Sequence, residues 1–195
     1  MTVHDETVRE KIILATIECI EKQGLHSVTI RGIAREAGVN SAAINYYFRS
    51  KENLIDLTLQ QTIDHSLMDI REILDDTTLS PRTALRNILM YLLEGSLRYP
   101  ELTKAHFYDS IVLNRSNPRF TGWINEILEN IHSLLLKSSM KKNEPDRRLE
   151  VIQMLSAVII HCLIPEFNKE YLGGDLKNLP AQYRYIDTLL DRYFA

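Results

Sequence analysis

Asn45 carries a carboxamide, which sets a donor beside an acceptor, the pair that matches an adenine edge in the major groove of DNA. It stands in the run Ser41-Ala42-Ala43-Ile44-Asn45-Tyr46-Tyr47-Phe48. In a helix, Ile44 and Phe48 are spaced i and i+4 and share an inward face, which turns Ser41, Ala42, Asn45 and Tyr46 outward. Small residues at the start of such a helix let its backbone come close to a groove. Ala42 or Ala43 can then touch a thymine methyl. The hydroxyls of Tyr46 and Tyr47 suit phosphate oxygens. Lys51 follows at the start of the next helical stretch, where backbone amides also favour a phosphate. Thr29 opens the preceding short helix as a cap that can also donate to a phosphate, and Arg31 adds a cation beside it. The chemistry these eight residues suggest (Thr29, Arg31, Ser41, Ala42, Asn45, Tyr46, Tyr47 and Lys51) is non-covalent recognition of duplex DNA.

Such residues need an element that holds them away from the body, and residues 29–48 read as a helix-turn-helix. Two short helices that cross steeply require a small residue at the crossing, and Ala34 supplies it. The turn requires a residue that tolerates positive φ, and Gly38 follows four positions later. Ile33, Ala37, Val39 and Ile44 have the spacing of the shared core. Charge agrees with this reading. The chain total is −3, yet residues 22–51 hold Lys22, Arg31, Arg35, Arg49 and Lys51 against Glu36 alone. That window is +4 and the remainder is −7, so a local basic surface sits on an acidic chain.

The rest of the 195 residues keeps helical spacing, punctuated by only seven glycines and six prolines. Nine helices and no strand are expected, over 7–23, 29–37, 41–48, 51–74, 81–98, 101–113, 120–138, 146–168 and 180–195. Gly24 should cap the first, Thr29 the second, Ser50 the fourth and Ser80 the fifth, with Pro81 as its first residue. Pro100 should stop the fifth. Residues 75–79, 114–118, 140–145 and 171–179 read as connectors.

The stretch 12–54 resembles the N-terminal domain of the TetR family of regulators. The resemblance rests on Ile12, Ile13, Ala15, Ile20 and Gly24, then Thr29-Ile30-Arg31, Ile33-Ala34, Ala37-Gly38-Val39, Tyr47-Phe48 and Ser50-Lys51-Glu52-Asn53-Leu54. Two positions depart from the common pattern. Gly32 replaces an acidic or larger residue, at a cost of up to about 1 kcal/mol of helix stability, and Asn45 replaces a frequent aromatic. The resemblance implies an all-α fold: an N-terminal three-helix DNA-binding domain over 1–50, a connecting helix over 51–75, and a larger helical domain for ligand binding and dimerisation over 76–195. It further implies a homodimer on a palindromic operator, usually a repressor, released when a small-molecule effector enters the C-terminal domain.

Residues 146–168 carry apolar side chains on two sides. Leu149, Ile152, Ser156, Ile159 and Leu163 form one stripe, and Val151, Leu155, Val158 and Cys162 the other. A helix apolar on two sides must be covered on two sides, and a second copy is the expected cover. Tyr183, Ile186, Leu190 and Tyr193 should add a face from the last helix, making a four-helix interface as the resemblance also implies. Met90, Tyr91, His106, Phe107, Trp123, Met154 and His161 are candidates to line a pocket for an apolar or aromatic effector.

Other functions find little support. The chain has no glycine-rich phosphate loop, nucleophile elbow or HExxH, so catalysis is not expected. No cofactor or metal is expected. Cys19 and Cys162 lie in apolar patterns and should be buried thiols. The longest apolar run, 151–164, is too short for a bilayer span, and residues 1–10 lack an apolar signal core. These features point to the cytoplasm and away from membranes.

Overall fold

The computed structural model describes residues 3–137, 144–164, 166 and 169–194, with side chains described from residue 7 in the first helix and from residue 146 in the eighth. Among the described residues every regular element is helical: α1 (Val3–Gln23), a 3-10 turn (Leu25–Ser27), α2 (Ile30–Ala37), α3 (Ser41–Phe48), α4 (Lys51–Asp75), α5 (Pro81–Arg98), α6 (Pro100–Ile111), α7 (Pro118–Lys137), α8 (Glu144–Leu163), α9 (Lys169–Leu172) and α10 (Leu179–Asp191). The all-α fold is as expected, and each of the nine expected helices has a counterpart. The differences lie at the ends. The fifth helix ends at Arg98, ahead of Pro100, as expected, and Pro100 in addition begins α6, because a residue without an N–H costs nothing at the first helical position. Only Tyr99 separates α5 from α6. The expected loop 171–179 is shorter: its first two residues belong to the single turn of α9, which closes at Gly173 with φ +63°, and Leu179 already begins α10. The expected connector 140–145 lies outside the described residues up to 143, and Glu144 and Pro145 already belong to α8.

The chain divides into two compact units, Met1–His65 with Glu101–Arg115, and Ser66–Pro100 with Ser116–Ala195. This division does not follow the boundaries at 50 and 75, because α6 packs with the N-terminal helices. Glu21 of α1 supplies the cap that α6 lacks: its carboxylate accepts from the N–H groups of Glu101 (3.0 Å) and Leu102 (3.1 Å). The Tyr108 ring meets His26 edge-on at 4.5 Å, and His106 Nε2 lies 3.0 Å from the Thr62 hydroxyl.

Burial at this contact pushes the His106 imidazole down from 6.5 to about 4. Folding therefore holds the ring neutral while the unfolded chain still takes up the proton. Stability from this site is complete above pH 6.5 and falls as the pH drops toward 4, by up to about 1.4 kcal/mol per pH unit. Denaturant titrations in steps between pH 7 and 4 should show that slope, and His106→Gln should flatten it. An unchanged slope in the variant would remove His106 from the account.

In the second unit α5 is central and packs against α7, α8 and α10. Leu85, Ile88, Leu89 and Leu93 of α5 meet Ile127 and Ile131 of α7, Met154 and Val158 of α8, and Ile186 and Leu190 of α10 in one apolar core. Arg86 and Arg82 of α5 pair with Asp187 (2.8 Å) and Asp191 (2.5 Å) of α10 along its edge.

Candidate nucleic-acid interface

The elbow between α2 and α3 forms as the small residues require. Ile33, Ala34, Ile44, Phe48 and Val28 are buried in it. Gly38 takes φ +66° and ψ +33°. Its N–H bonds to the Arg35 carbonyl (3.3 Å), and the Val39 N–H to the Ala34 carbonyl (2.9 Å), the paired pattern of a left-handed helix cap. A Cβ at Gly38 would have nothing within 4 Å, so its backbone angle, not crowding, calls for glycine.

Each short helix is capped by a side chain. Thr29 Oγ1 accepts from the Gly32 N–H at 3.1 Å. A Cβ at Gly32 would come within 3.2 Å of that hydroxyl, so a larger residue there requires the threonine side chain to give by a few tenths of an ångström. Asn40 Oδ1 accepts from the Ala43 N–H at 2.7 Å and caps α3. Sequence reasoning missed this role, although asparagine just before a helix start is among the best cap signals. Ser50 Oγ accepts from the Asn53 N–H at 3.1 Å and opens α4.

These supports fix which face of α3 is presented. Ile44 and Phe48 are fully buried, while Ala42, Asn45 and Tyr46 are exposed, Tyr46 by 76%. Ser41 and Tyr47 are half-buried, and the Tyr47 ring stands edge-on to Tyr46 at 5.1 Å. Thr29 and Arg31 are exposed at the start of α2. Lys51 differs from a freely extended cation: it is half-buried, and its ammonium donates to the Val28 carbonyl at 3.2 Å. Two of its three donors remain for another partner. Lys22, counted in the basic window, is paired with Glu36 at 2.8 Å.

Between α3 and α4 the backbone makes an uncommon turn. Arg49 has φ +70° and ψ −47°, and the Ser50 N–H bonds back to the Phe48 carbonyl at 2.8 Å. That is a three-residue γ-turn of the positive-φ kind, which is rare and strained for a residue with a side chain. Asn53 Nδ2 donates to the same Phe48 carbonyl at 2.8 Å and braces it.

The seven pocket candidates are divided between the two units. His106 and Phe107 belong to the first unit, and the other five to the second. Met90 and Met154 are packed in the core. Tyr91 donates its hydroxyl to Asp69 at 2.7 Å, and burial with that carboxylate pushes the phenol up to about 12. Trp123 stacks on Phe120 at 5.4 Å, and the buried His161 meets Tyr185 edge-on at 4.8 Å. Burial lowers the pKa of His161 as well. A cavity of about 580 Å³ lies instead between α8, α10 and the segment after α9, lined among others by Gln153, Ala157, Leu176, Arg184, Tyr185 and Thr188. Of all the residues expected to bind ligand or partner, only Tyr193 lines it.

The two apolar faces expected to meet a partner have different fates. On α8, Leu149 (59%), Ile152 (51%) and Ser156 are exposed, and Ile159 and Leu163 half-buried. On α10 the expectation must be corrected. Ile186 and Leu190 are fully buried in the chain's own core, because the row Gln182, Ile186, Leu190 packs down onto α5. Tyr183 stays exposed, with the Arg86 guanidinium 4.8 Å over its ring, and Tyr193 is half-buried. Cys19 and Cys162 are buried free thiols. Among the described residues no group of His, Cys, Asp and Glu could hold a metal, and no helix is long and apolar enough to cross a membrane.

Known proteins resemble both the reader and the whole chain. Residues 12–57 match the family model described as bacterial regulatory proteins, tetR family. A relative from Pectobacterium carotovorum subsp. carotovorum (strain PC1), the HTH-type transcriptional regulator BetI, is 30% identical over 172 residues, covering 88% of this chain and 77% of that one. A transcriptional regulator from Rhodococcus sp. Rha1 superposes with a TM-score of 0.72 at 18% identity, over 96% of this chain and 98% of that one. The transcriptional regulator FadR from Bacillus subtilis, in complex with stearoyl-CoA, has a TM-score of 0.65 at 20% identity, over 95% and 97% of the two chains.

Proposed function

Because the chain belongs to the TetR family of bacterial regulatory proteins, we propose that it acts as a homodimeric, ligand-responsive repressor that reads a palindromic operator with α3. The observation that carries this reading is the division of α3 into a buried face, Ile44 and Phe48, and an exposed one, Ala42, Asn45 and Tyr46. A helix that spends its apolar side on a small core and leaves a carboxamide and phenols outside is built to meet something polar. The elbow aims it, and the uncompensated bases around it suit phosphates.

In this reading Asn45 and Ala42 meet base edges, with Ser41 at the close approach of the helix start. Thr29 keeps its hydroxyl proton for a phosphate, since its oxygen accepts from Gly32. Tyr46, Tyr47, Arg31 and the spare donors of Lys51 take phosphates as well. Two copies joined through the exposed α8 stripe place two readers on half-sites about 34 Å apart, or a multiple of that. The reader comprises 1–50 and the connecting helix 51–75, and 76–195 carries the dimer contact and the effector site. The effector is a mainly apolar small molecule, a reading supported by the FadR relative's stearoyl-CoA. It lowers operator affinity only so far as it binds the two states unequally. The protein is not an enzyme and works in the cytoplasm.

A mobility-shift titration with the DNA flanking the chain's own gene tests this. A saturable shift is expected, and none at any salt would overturn it. Within it, Tyr47→Phe should lower affinity about fivefold, one hydrogen bond of about 1 kcal/mol. Lys51→Ala should make the slope of log affinity against log salt shallower by about 1. If Lys51→Ala leaves both affinity and slope unchanged, that residue holds the Val28 carbonyl and nothing else.

A further inference from the structure

We infer that Arg49, in the strained turn leaving the reading helix, is an additional DNA contact that grips a backbone phosphate. The inference rests on the DNA-reading function proposed for α3 and extends it to a residue outside the eight already assigned.

The backbone sets Arg49 apart. Three residues in and around the reader have positive φ: Gly24, Gly38 and Arg49. Two of the three are glycine, for which the conformation carries no steric penalty. The third is a long side chain held at φ +70° and ψ −47°. The turn does not need that side chain. Phe48's carbonyl accepts from both the Ser50 N–H and Asn53 Nδ2, and Ser50 Oγ accepts from the Asn53 N–H, so neighbours on either side close the network. Glycine at 49 would make the same turn with less strain.

The arginine is also idle within the chain. It is exposed, and among the described residues its guanidinium has no ion pair, hydrogen-bond or ring partner. Of the other cations in this window, Lys22 holds Glu36 and Lys51 donates to the Val28 carbonyl, while Arg31 and Arg35 on α2 are exposed as Arg49 is. Position completes the case. The N-terminal residues of a recognition helix meet base edges, so its C-terminal end leads back toward the sugar-phosphate strand. The carbonyl end of a helix repels a phosphate, and α3 has no other basic residue in its last turn. A guanidinium at that end reverses the local sign and offers a planar pair of donors to a phosphate.

The test measures stability and binding on the same variants. The duplex is one selected from a random pool by the unaltered protein. Arg49→Gly should have a thermal midpoint equal to or above that of the parent, bind the duplex about tenfold more weakly near 0.1 M salt, and show a salt slope shallower by about 1. Arg49→Gln, which keeps the strained backbone and removes the charge, should show the same change in slope. Parent-like affinity and slope in both variants would overturn the assignment while leaving the DNA-reading function intact. Affinity that falls only in step with the thermal midpoint would overturn it too, because the side chain would then serve the fold. A parent that selects no duplex would sink both this inference and the function beneath it.

Discussion

Leu149→Glu combined with Ile152→Glu should yield a folded monomer of the 22.6 kDa chain mass that no longer holds a two-half-site duplex. Both side chains are more than half exposed in the single chain, so the carboxylates sit in water and the core of α5, α7 and α8 is untouched. In a dimer across the α8 stripe the same positions are covered. Burying one such side chain is worth about 1.5–3 kcal/mol, and two-fold symmetry counts each position twice. Replacing them by carboxylates removes that gain and adds the cost of desolvating four charges. DNA binding suffers through geometry. Two linked readers gain about 10²–10⁴-fold in avidity over one, and a monomer forfeits that factor with α3 unchanged. Equilibrium sedimentation and an operator titration read the two effects. The parent should sediment at twice the chain mass and the variant at the chain mass. A parent that sediments as a monomer, or a variant that still dimerises, contradicts the placement of the interface on α8.

Phe48→Ala should dismantle the reader and abolish operator binding. Phe48 is among the largest fully buried side chains of the chain. Its ring has the Arg9 guanidinium 5.7 Å above it and Tyr47 tilted at 6.4 Å, and its carbonyl anchors the turn into α4. Truncating a buried phenylalanine costs about 3–5 kcal/mol. That approaches the whole stability of a small domain. Hydrogen exchange should show protection lost over 12–54 and kept over 84–97, where the core belongs to the second unit. Phe48→Leu, which refills most of the space, should keep protection and lose only part of the affinity. Parent-like exchange over 12–54 in Phe48→Ala would show that the α2–α3 elbow does not depend on this residue.

The reader was legible because its constraints are local. A glycine at a left-handed turn, a threonine and a serine at helix starts, and an i, i+4 apolar pair state the geometry within twenty residues. What stayed hidden depends on chain segments far apart. Glu21 caps α6 across eighty residues, and no periodicity signals a carboxylate aimed at another helix's amides. Ile186 and Leu190 announced an apolar face, yet pattern alone does not say whether that face meets a second copy or the chain's own α5. The pocket candidates are residues of mixed polarity. Such residues also fill irregular cores, as Met90 and Met154 do here. The turn at Arg49 was concealed for the opposite reason: the residue type argues against the backbone it adopts.

Selection of bound sites from random duplex DNA, run in parallel on the parent and on Asn45→Ala, bears most directly on whether α3 is the reading element. The parent should enrich an inverted repeat whose half-sites are centred one helical turn apart or a multiple of it. Asn45→Ala should relax the preference at a single base pair in each half-site and leave the spacing alone. Enrichment of no repeat by the parent, or an identical base preference in the variant, would contradict that role for α3.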